Sequence, residues 1–157
     1  MKIGHGFDVH AFDRDRPLII GGVTIPDHAG LAGHSDADVL SHAVADALLG
    51  AAGLGDLGSN FPPSEEWRGA SSIDILRAVR RQLQDAGYEI ANIDSTVVAE
   101  TPRMTSFKEG MSSNISEALG LTRDQVSVKA TTADGLGYTG RSEGIAAHAV
   151  VLIRRLG

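Results

Sequence analysis

The feature that most constrains the fold is the alternation of residue types at the start of the chain. Small or polar residues at Gly4, Gly6, Asp8 and His10 alternate with larger side chains. A period of two places successive side chains on opposite faces of a β-strand. The pattern therefore predicts a strand over residues 2–12 with glycines and chemically active groups on one face. We expect the glycines to leave room for a ligand at the backbone.

Further strands and helices interleave along the rest of the chain. Gly21-Gly22 between two short β-branched runs predicts a two-residue hairpin. Helices are predicted over 36–52 with Ser35 as N-cap, from a Ser71–Asp74 capping box to Gly87, and over 105–119. Strands are predicted over 88–99, 125–131 and 144–154, and a long loop over 55–69. Because no strict strand–helix–strand rhythm occurs, we expect an α/β (α+β) sandwich in which a mixed β-sheet carries helices largely on one face. One domain covers 1–157.

The composition narrows the chemistry available to the chain. Fourteen Lys and Arg against 20 Asp and Glu give a net charge of −6, which argues against nucleic-acid or anionic-membrane partners because both call for a basic patch. The absence of cysteine excludes thiolate metal sites and cysteine nucleophiles. No run approaches the ~20 apolar residues of a membrane span, and no signal peptide is recognisable, so we expect a cytoplasmic protein.

Asp8, His10 and His42 form a candidate metal site. Asp8 and His10 lie two apart on the predicted strand, and Asp38, His42 and Asp46 share one face of the predicted helix. Three nitrogen or oxygen ligands without a thiolate are typical of a catalytic zinc ion with an open fourth position. Asp46 would orient a ligating imidazole. Spacing alone leaves open the alternative of ordinary polar residues and a structural helix histidine.

A glycine- and hydroxyl-rich segment over 129–141 is the second candidate site. Loops of this kind expose backbone N–H groups that can bind phosphate, and Asp134 can hold a hard divalent cation. The alternative is a structural turn, at whose end Arg141 and Glu143 pair with each other.

These motifs together resemble the 2-C-methyl-D-erythritol 2,4-cyclodiphosphate synthase family over essentially the whole chain. They are Gly4–His10, His34–Asp38, His42, Gly55–Gly58 with Phe61-Pro62, and Lys129–Arg141. The resemblance implies a cyclising phosphorus–oxygen lyase of the non-mevalonate isoprenoid pathway. Its substrate would be 4-diphosphocytidyl-2-C-methyl-D-erythritol 2-phosphate, and its products 2-C-methyl-D-erythritol 2,4-cyclodiphosphate and CMP. The resemblance further implies a monofunctional form and a homotrimer with active sites between subunits.

The resemblance also assigns roles to individual residues. It implies Zn²⁺ at Asp8, His10 and His42, a second divalent cation (Mg²⁺ or Mn²⁺) at Asp134, and catalytic roles for Thr132 and Asp134. The diphosphate and methylerythritol side of the substrate would contact Asp8, His10, His34, Ser35, Asp56, Gly58 and Phe61. A neighbouring subunit would hold the cytidine with Ala99, Pro102, Arg103, Met104, Ala130, Thr131 and Thr132. Tyr138 and Arg141 complete the expected substrate-binding set.

Four positions depart from the family pattern. Asp134 stands where glutamate is common, Arg103 replaces the usual lysine, and Gly135 and Pro63 replace polar residues, so the corresponding phosphate contacts do not carry over directly.

Two other functions stay open at this stage. One is a zinc-dependent phosphohydrolase with water as nucleophile. The other is a non-catalytic trimer that binds an isoprenoid diphosphate in a central cavity bordered by Phe7, Arg141 and Glu143.

Overall fold

The computed structural model describes residues 1–157, which form seven strands and five helices. The strands are β1 (Lys2–Asp13), β2 (Leu18–Ile20), β3 (Val23–Ile25), β4 (Gly30–Leu31), β5 (Tyr88–Val98), β6 (Val126–Thr131) and β7 (Gly144–Arg155). The helices are α1 (Val39–Ala52), α2 (Leu57–Asn60), α3 (Ser72–Asp85), α4 (Lys108–Leu119) and α5 (Gly137–Gly140), with 3₁₀ turns at Glu65–Trp67 and Arg123–Gln125. None of the helices has the length and apolar character needed to cross a membrane.

Five strands form one mixed sheet in the order β4-β1-β7-β5-β6. Neighbouring strands run antiparallel except β5 and β6, which are parallel. Strands β2 and β3 form a separate hairpin whose turn residues, Gly21 and Gly22, have φ angles of 57° and 71°. Positive φ at both positions is what a type I′ turn requires. The predicted hairpin and the predicted mixed sheet are confirmed.

Helix α1 packs directly on the glycine face of β1. Twelve of its 14 residues are buried, and a Cβ added to Gly4 or Gly6 would collide with the carbonyl oxygen of Ala47 or Ala43. The two glycines therefore allow a helix to approach a strand closely, and the expectation that they leave room for a ligand is wrong. Helices α3 and α4 complete the layer on this side of the sheet. The opposite face exposes the apolar side chains of Ile3, Phe7, Val9 and Val150.

The N-terminal ends of helices α1 and α3 differ from the prediction. Helix α1 begins after Asp38, not after Ser35, and the buried Asp38 carboxylate accepts the backbone N–H groups of Ser41, Gly21 and Gly22 at 2.8–3.0 Å. A buried carboxylate needs several donors, so Asp38 both caps α1 and ties it to the β2–β3 hairpin. At α3 the capping box is absent, because Ser71 makes no side-chain cap bond and Asp74 pairs with Arg77.

The segment 55–69 contains more regular structure than the predicted loop. Helix α2 opens with a capping box between Asp56 and Ser59, and the turn at Glu65–Trp67 follows. The rings of Phe61 and Trp67 meet edge to face with their centroids 4.8 Å apart. This aromatic contact and the capping box stabilise the segment. Its prolines and glycines interrupt the apolar pattern, so the sequence shows no helical periodicity there.

Candidate active site

Asp8, His10 and His42 converge where β1 passes the N-terminal half of α1. Asp8 Oδ2 lies 2.8 Å from His10 Nε2 and 3.1 Å from His42 Nδ1, and the two imidazole nitrogens are 3.3 Å apart. One donor atom from each residue lies within 4.8 Å of the other two. A single ion bound by all three side chains needs such a cluster. The prediction that these three residues lie together is confirmed.

The far side of the His10 ring is fixed by the backbone. Its Nδ1 lies 2.6 Å from the carbonyl oxygen of Ala32, an atom that can only accept, so Nδ1 carries the proton. The lone pair of Nε2 then faces Asp8 and His42. This is the tautomer that a metal-ligating imidazole needs.

A hydroxyl and a carboxylate orient the His42 ring. Its Nε2 lies 2.8 Å from Ser72 Oγ and 3.1 Å from Ser35 Oγ, and the Ser72 hydroxyl in turn donates to the Asp36 carboxylate. With its own proton given to Asp36, Ser72 Oγ accepts from His42 Nε2–H, which leaves Nδ1 free to bind a metal ion. The expectation that Asp46 orients this imidazole is wrong, because Asp46 accepts the N–H of Leu57 and so anchors α2.

The electrostatics of the cluster favour an ionised carboxylate. Burial opposes ionisation of Asp8, but the hydrogen bonds and charges of His10 and His42 outweigh burial and lower its pKa to about 2. Burial also acts to lower the pKa of His10, yet the hydrogen bond and the charge of Asp8 raise it overall above the usual 6.5. A metal ion at this site therefore competes with a proton on His10.

A cavity of about 220 Å³ opens beside the three ligands. Of the residues expected at the substrate, His34, Ser35 and Phe61 line it, whereas Asp56 and Gly58 do not. His34 Nε2 bonds the carbonyl oxygen of Ser64 at 2.7 Å and thus also holds the 55–69 segment in place. The sequence reasoning missed further lining residues, which are Leu57, Pro63, Trp67 and Ile75. An aromatic pair inside a polar, proline-containing stretch is the signal that would have found Trp67.

A second cavity, of about 400 Å³, lies at the end of β5 and β6. Its lining includes all seven residues expected at the cytidine, which are Ala99, Pro102, Arg103, Met104, Ala130, Thr131 and Thr132. Glu100, which the sequence reasoning missed, also lines it and accepts the backbone N–H groups of Ala133 and Gly135 at 2.9 and 3.4 Å. Glu100 therefore anchors the loop that carries Asp134.

The two cavities lie at the same end of the sheet but three strands apart. Thr131 pairs with Val98, Val98 with Ala146, and Ala146 with Val9. Three inter-strand spacings amount to roughly 14 Å, and the two cavities share no lining residue. Within one chain they are separate sites.

Three other expected site residues line neither cavity. Asp134 is exposed in its loop with a φ angle of 55°, and Tyr138 is 44% exposed. Arg141 Nε donates to Glu143 Oε2 at 2.9 Å, so the expected pairing at the end of the loop is present. The structure does not bring these three residues to the Asp8, His10 and His42 cluster of the same chain.

The donor set fits a catalytic transition metal. Two imidazole nitrogens and one carboxylate oxygen beside an open cavity are typical of a catalytic zinc site, and the outer hydrogen bonds to His10 and His42 hold the correct tautomers. A helix layer on a mixed sheet, with a cluster of one carboxylate and two imidazoles compatible with a metal ion, defines the chain as an α+β protein with a candidate metal centre.

Comparison with known proteins places the chain in one family: it belongs to the YgbB family, whose model matches residues 1–154. It is 56% identical over 154 residues to the 2-C-methyl-D-erythritol 2,4-cyclodiphosphate synthase of Moorella thermoacetica, covering 98% of this chain and 94% of the relative. The relative of the same name from Marinobacter nauticus is also 56% identical, over 98% of this chain and 97% of its own.

Solved structures agree with the sequence comparison. The bifunctional IspDF from Campylobacter jejuni superposes with a TM-score of 0.95 at 42% identity, over 99% of this chain and 42% of that chain. IspF of Plasmodium falciparum in a CDP complex superposes with a TM-score of 0.86 at 32% identity, over 99% and 97% of the two chains.

Proposed function

We propose that this chain converts 4-diphosphocytidyl-2-C-methyl-D-erythritol 2-phosphate to 2-C-methyl-D-erythritol 2,4-cyclodiphosphate with release of CMP. This is the cyclisation step of the non-mevalonate isoprenoid pathway, and the relatives named above carry the name of that synthase over nearly the whole chain. The observation that carries the proposal is the cluster of Asp8, His10 and His42 opening onto a cavity. A metal ion there can take a diphosphate oxygen as its remaining ligand.

The reaction is an internal phosphoryl transfer. An oxygen of the 2-phosphate forms a bond to the β-phosphorus, and the bond from that phosphorus to the oxygen bridging the α-phosphate breaks, so that CMP departs with the electron pair. The attacking phosphate oxygen is already anionic, so no side chain has to remove a proton from it. The work of the protein is to position the substrate and to stabilise its charge. We class the activity as a metal-dependent phosphorus–oxygen lyase.

Two divalent cations fit the donor atoms. We assign Zn²⁺ to Asp8, His10 and His42, and Mg²⁺ or Mn²⁺ to the carboxylate of Asp134, since hard cations prefer oxygen ligands. When bound, these cations would polarise the phosphate oxygens and neutralise their charge. This accounts for an anionic substrate on a chain with a net charge of −6.

Substrate recognition is divided between the two cavities. The cavity beside the ligand cluster would hold the methylerythritol and its phosphates, with the lining residues His34, Ser35 and Phe61 as contacts. Asp56 and Gly58 lie outside this lining, at the start of α2, and would contact the substrate from the edge of the cavity. The cavity at the end of β5 and β6 would hold the cytidine, with Arg103 and the Thr131 and Thr132 hydroxyls as donors and Thr132 next to the reacting phosphates. Tyr138 and Arg141 would complete the set.

The segment 58–68 would act as a cover over the methylerythritol. Trp67 and Phe61 already enclose one side of the cavity, and His34 holds this segment through Ser64. Closure would exclude water that otherwise hydrolyses the diphosphate. Shortening the tip of the segment should raise linear phosphate products relative to the cyclic product.

The separation of the cavities supports an assembly in which neighbouring chains share each active site. A lateral distance of roughly 14 Å within one sheet is bridged if the cytidine cavity of one subunit faces the metal cluster of the next. The apolar sheet face with Ile3, Phe7 and Val9 offers a surface for such contacts. We propose a homotrimer, with an isoprenoid diphosphate as a further ligand of its central cavity near Phe7 and Arg141.

A phosphorus NMR assay of products tests the reaction. Wild-type protein with the cytidyl substrate, Zn²⁺ and Mg²⁺ should yield CMP and a cyclic diphosphate. Asp8→Asn removes a metal-binding charge at nearly constant shape and should abolish both products, whereas Asp74→Asn, the same change on the exposed face of α3, should leave turnover intact. CMP with linear phosphates would indicate a phosphohydrolase, and substrate binding without turnover would indicate a binding protein.

A further inference from the structure

The end of the sheet opposite the cluster of Asp8, His10 and His42 carries a separate cavity of about 290 Å³. It is bounded by the C-terminal halves of α3 and α4 and by the outer ends of β5 and β7. Asp8 pairs with Ala147 on β7, and the cavity residue Arg154 lies seven positions further along the same strand. At about 3.3 Å per residue this places the cavity roughly 23 Å from the metal cluster.

The floor of this cavity is apolar. Leu83 and Leu119 are buried beneath it, Leu121 is half-buried, and Leu156 is 50% exposed at its edge. Six of the twelve lining residues are hydrophobic, five are polar or charged, and one is Gly120, so the cavity can take a small ligand with both an apolar and a polar part. The volume suits a small ligand with a short hydrocarbon body.

Arg80 is a charged residue of the cavity wall that has no ion-pair partner. Its guanidinium forms no ion pair, whereas the neighbouring Arg77 and Arg154 are paired with Asp74 and Glu89. The Arg80 side chain is half-buried. It lies between this cavity and a neighbouring one, and lines both. An arginine held in this way presents several N–H donors to an incoming group.

The backbone of α4 holds the guanidinium in place. A Cβ added to Gly120 would collide almost equally with Cζ and both Nη atoms of Arg80, so the guanidinium lies face-on over the end of α4. Stacked on one face, it keeps its N–H edges free for an acceptor. Gly120 also has a φ angle of 68°, so no other residue both ends α4 in this way and leaves space for Arg80.

We propose that this cavity binds a small organic anion, with a carboxylate or phosphate head on the Arg80 guanidinium and a short apolar body on the leucine floor. Arg80 and Arg154 are the two cations of the cavity wall, and the ion pair of Arg154 with Glu89 leaves Arg80 as the uncompensated one, which suits a single anionic head. A planar guanidinium binds either head through two parallel hydrogen bonds.

Chemical-shift titration of the full-length chain with matched probes tests the proposal. Hexanoate and hexyl phosphate carry the two heads, hexanol lacks a charge, and inorganic phosphate lacks the apolar body. We expect at least one of the two amphiphilic anions to shift the amide signals of Leu83, Leu121 and Leu156. Hexanol and inorganic phosphate should bind at least tenfold more weakly. The better anion identifies the head group.

Two neighbouring arginines supply the variant and its control. Arg80→Gln should weaken binding of the better anion at least tenfold, because a charge-assisted bidentate pair is lost. Arg81→Gln, one position away, exposed and outside the lining of this cavity, should change it less than twofold. If Arg80→Gln does not fold, Leu156→Ser provides a second test, since it removes apolar wall and should weaken the anion several-fold. Unchanged affinity in Arg80→Gln, equal binding of hexanol, or no shifts at this cavity with any probe would overturn the proposal.

Discussion

The His42 ring has partners at both nitrogens: Nδ1 faces Asp8, and Nε2 contacts the Ser72 hydroxyl on the side away from the candidate metal site. Ser72→Ala removes the hydroxyl that accepts from His42 Nε2 and donates to Asp36. Loss of such an outer partner typically weakens metal binding 10–100-fold. We expect that loss in zinc titrations monitored by competition with a chromophoric chelator. Ser113→Ala, an exposed serine on α4, is the control. Equal zinc affinity in the Ser72→Ala variant would show that Ser35 alone orients the ring.

Asp8 should make the metal-free chain sensitive to acid. Its pKa is about 2 when folded against 3.8 for the free side chain, so its contribution is complete above pH 3.8 and is lost as the pH falls through about 2. The difference corresponds to roughly 2 kcal/mol. Urea unfolding at pH 5 and at pH 2 should show Asp8→Asn losing about 2 kcal/mol less than wild type between them. Parallel losses in both proteins would contradict the assigned pKa.

His10 acts in the opposite direction. Its folded-state pKa lies above 6.5, so its ion pair with Asp8 stabilises the metal-free chain fully below pH 6.5 and this contribution is lost as the pH rises through the folded-state pKa. The metal-free chain is therefore expected to weaken above neutral pH, where a metal ion competes least with protons. Zinc binding should restore the loss.

The ligand cluster was only partly predictable from local patterns. A spacing of two on a strand places Asp8 and His10 on one face, and helical spacing gives His42 a face of α1, but the three residues meet only if that face packs on the strand. The resemblance to the family, not the spacing, pointed to all three as ligands. Asp36 and Ser72 were not predictable, since they lie 36 residues apart and meet only through tertiary packing. Asp46 was misassigned because helical periodicity gives a shared face but not the partner that each side chain finds.

At the scale of elements, replacing a glycine by alanine should have opposite effects on stability in β1 and in α1. Gly6→Ala places a Cβ against the carbonyl oxygen of Ala43, and neither backbone can yield without separating α1 from β1. We expect a loss of about 1–3 kcal/mol or more in the free energy of unfolding. Gly50→Ala, at an exposed position in the last turn of α1, meets nothing within 4 Å and should gain roughly 0.5–1 kcal/mol. Denaturant unfolding of both variants measures the pair, and a neutral Gly6→Ala would refute the packing role.

Element types were predicted better than their ends. The Gly21-Gly22 turn has a direct chemical cause and was placed correctly. The start of α1 was not, because Ser35, Asp36 and Asp38 are all able to cap a helix, and Asp38 is selected by its additional bonds to the hairpin. In the 55–69 segment, contacts between Phe61 and Trp67 stabilise turns that no periodic pattern in the sequence predicts.

At the scale of the whole molecule, the order of strands was outside the reach of local patterns. Strand β6 adds to the sheet edge in parallel with β5, a pairing determined by the path of α4 between them. That arrangement separates the cavity at the end of β5 and β6 from the cluster of Asp8, His10 and His42 and underlies the proposal of shared active sites.

Subunit mixing tests that proposal. His42→Ala and Arg103→Ala each disable one cavity, so each variant alone should be inactive. If each site combines the metal cluster of one subunit with the cytidine cavity of the next, co-expression in equal amounts should restore about a quarter of the wild-type sites, because a random pair has the required order with that frequency. Mixtures of either variant with itself are the control. No recovery would mean that one chain supplies both halves.

Trp67 is the only tryptophan in the chain, and its ring forms part of the wall beside the metal cluster. Its ultraviolet emission therefore originates at a single place, within the cavity that substrate would enter. The protein thus carries a built-in optical probe of that cavity, free of background from any other indole. Occupancy and movement of the segment above it can be followed in real time on unlabelled material.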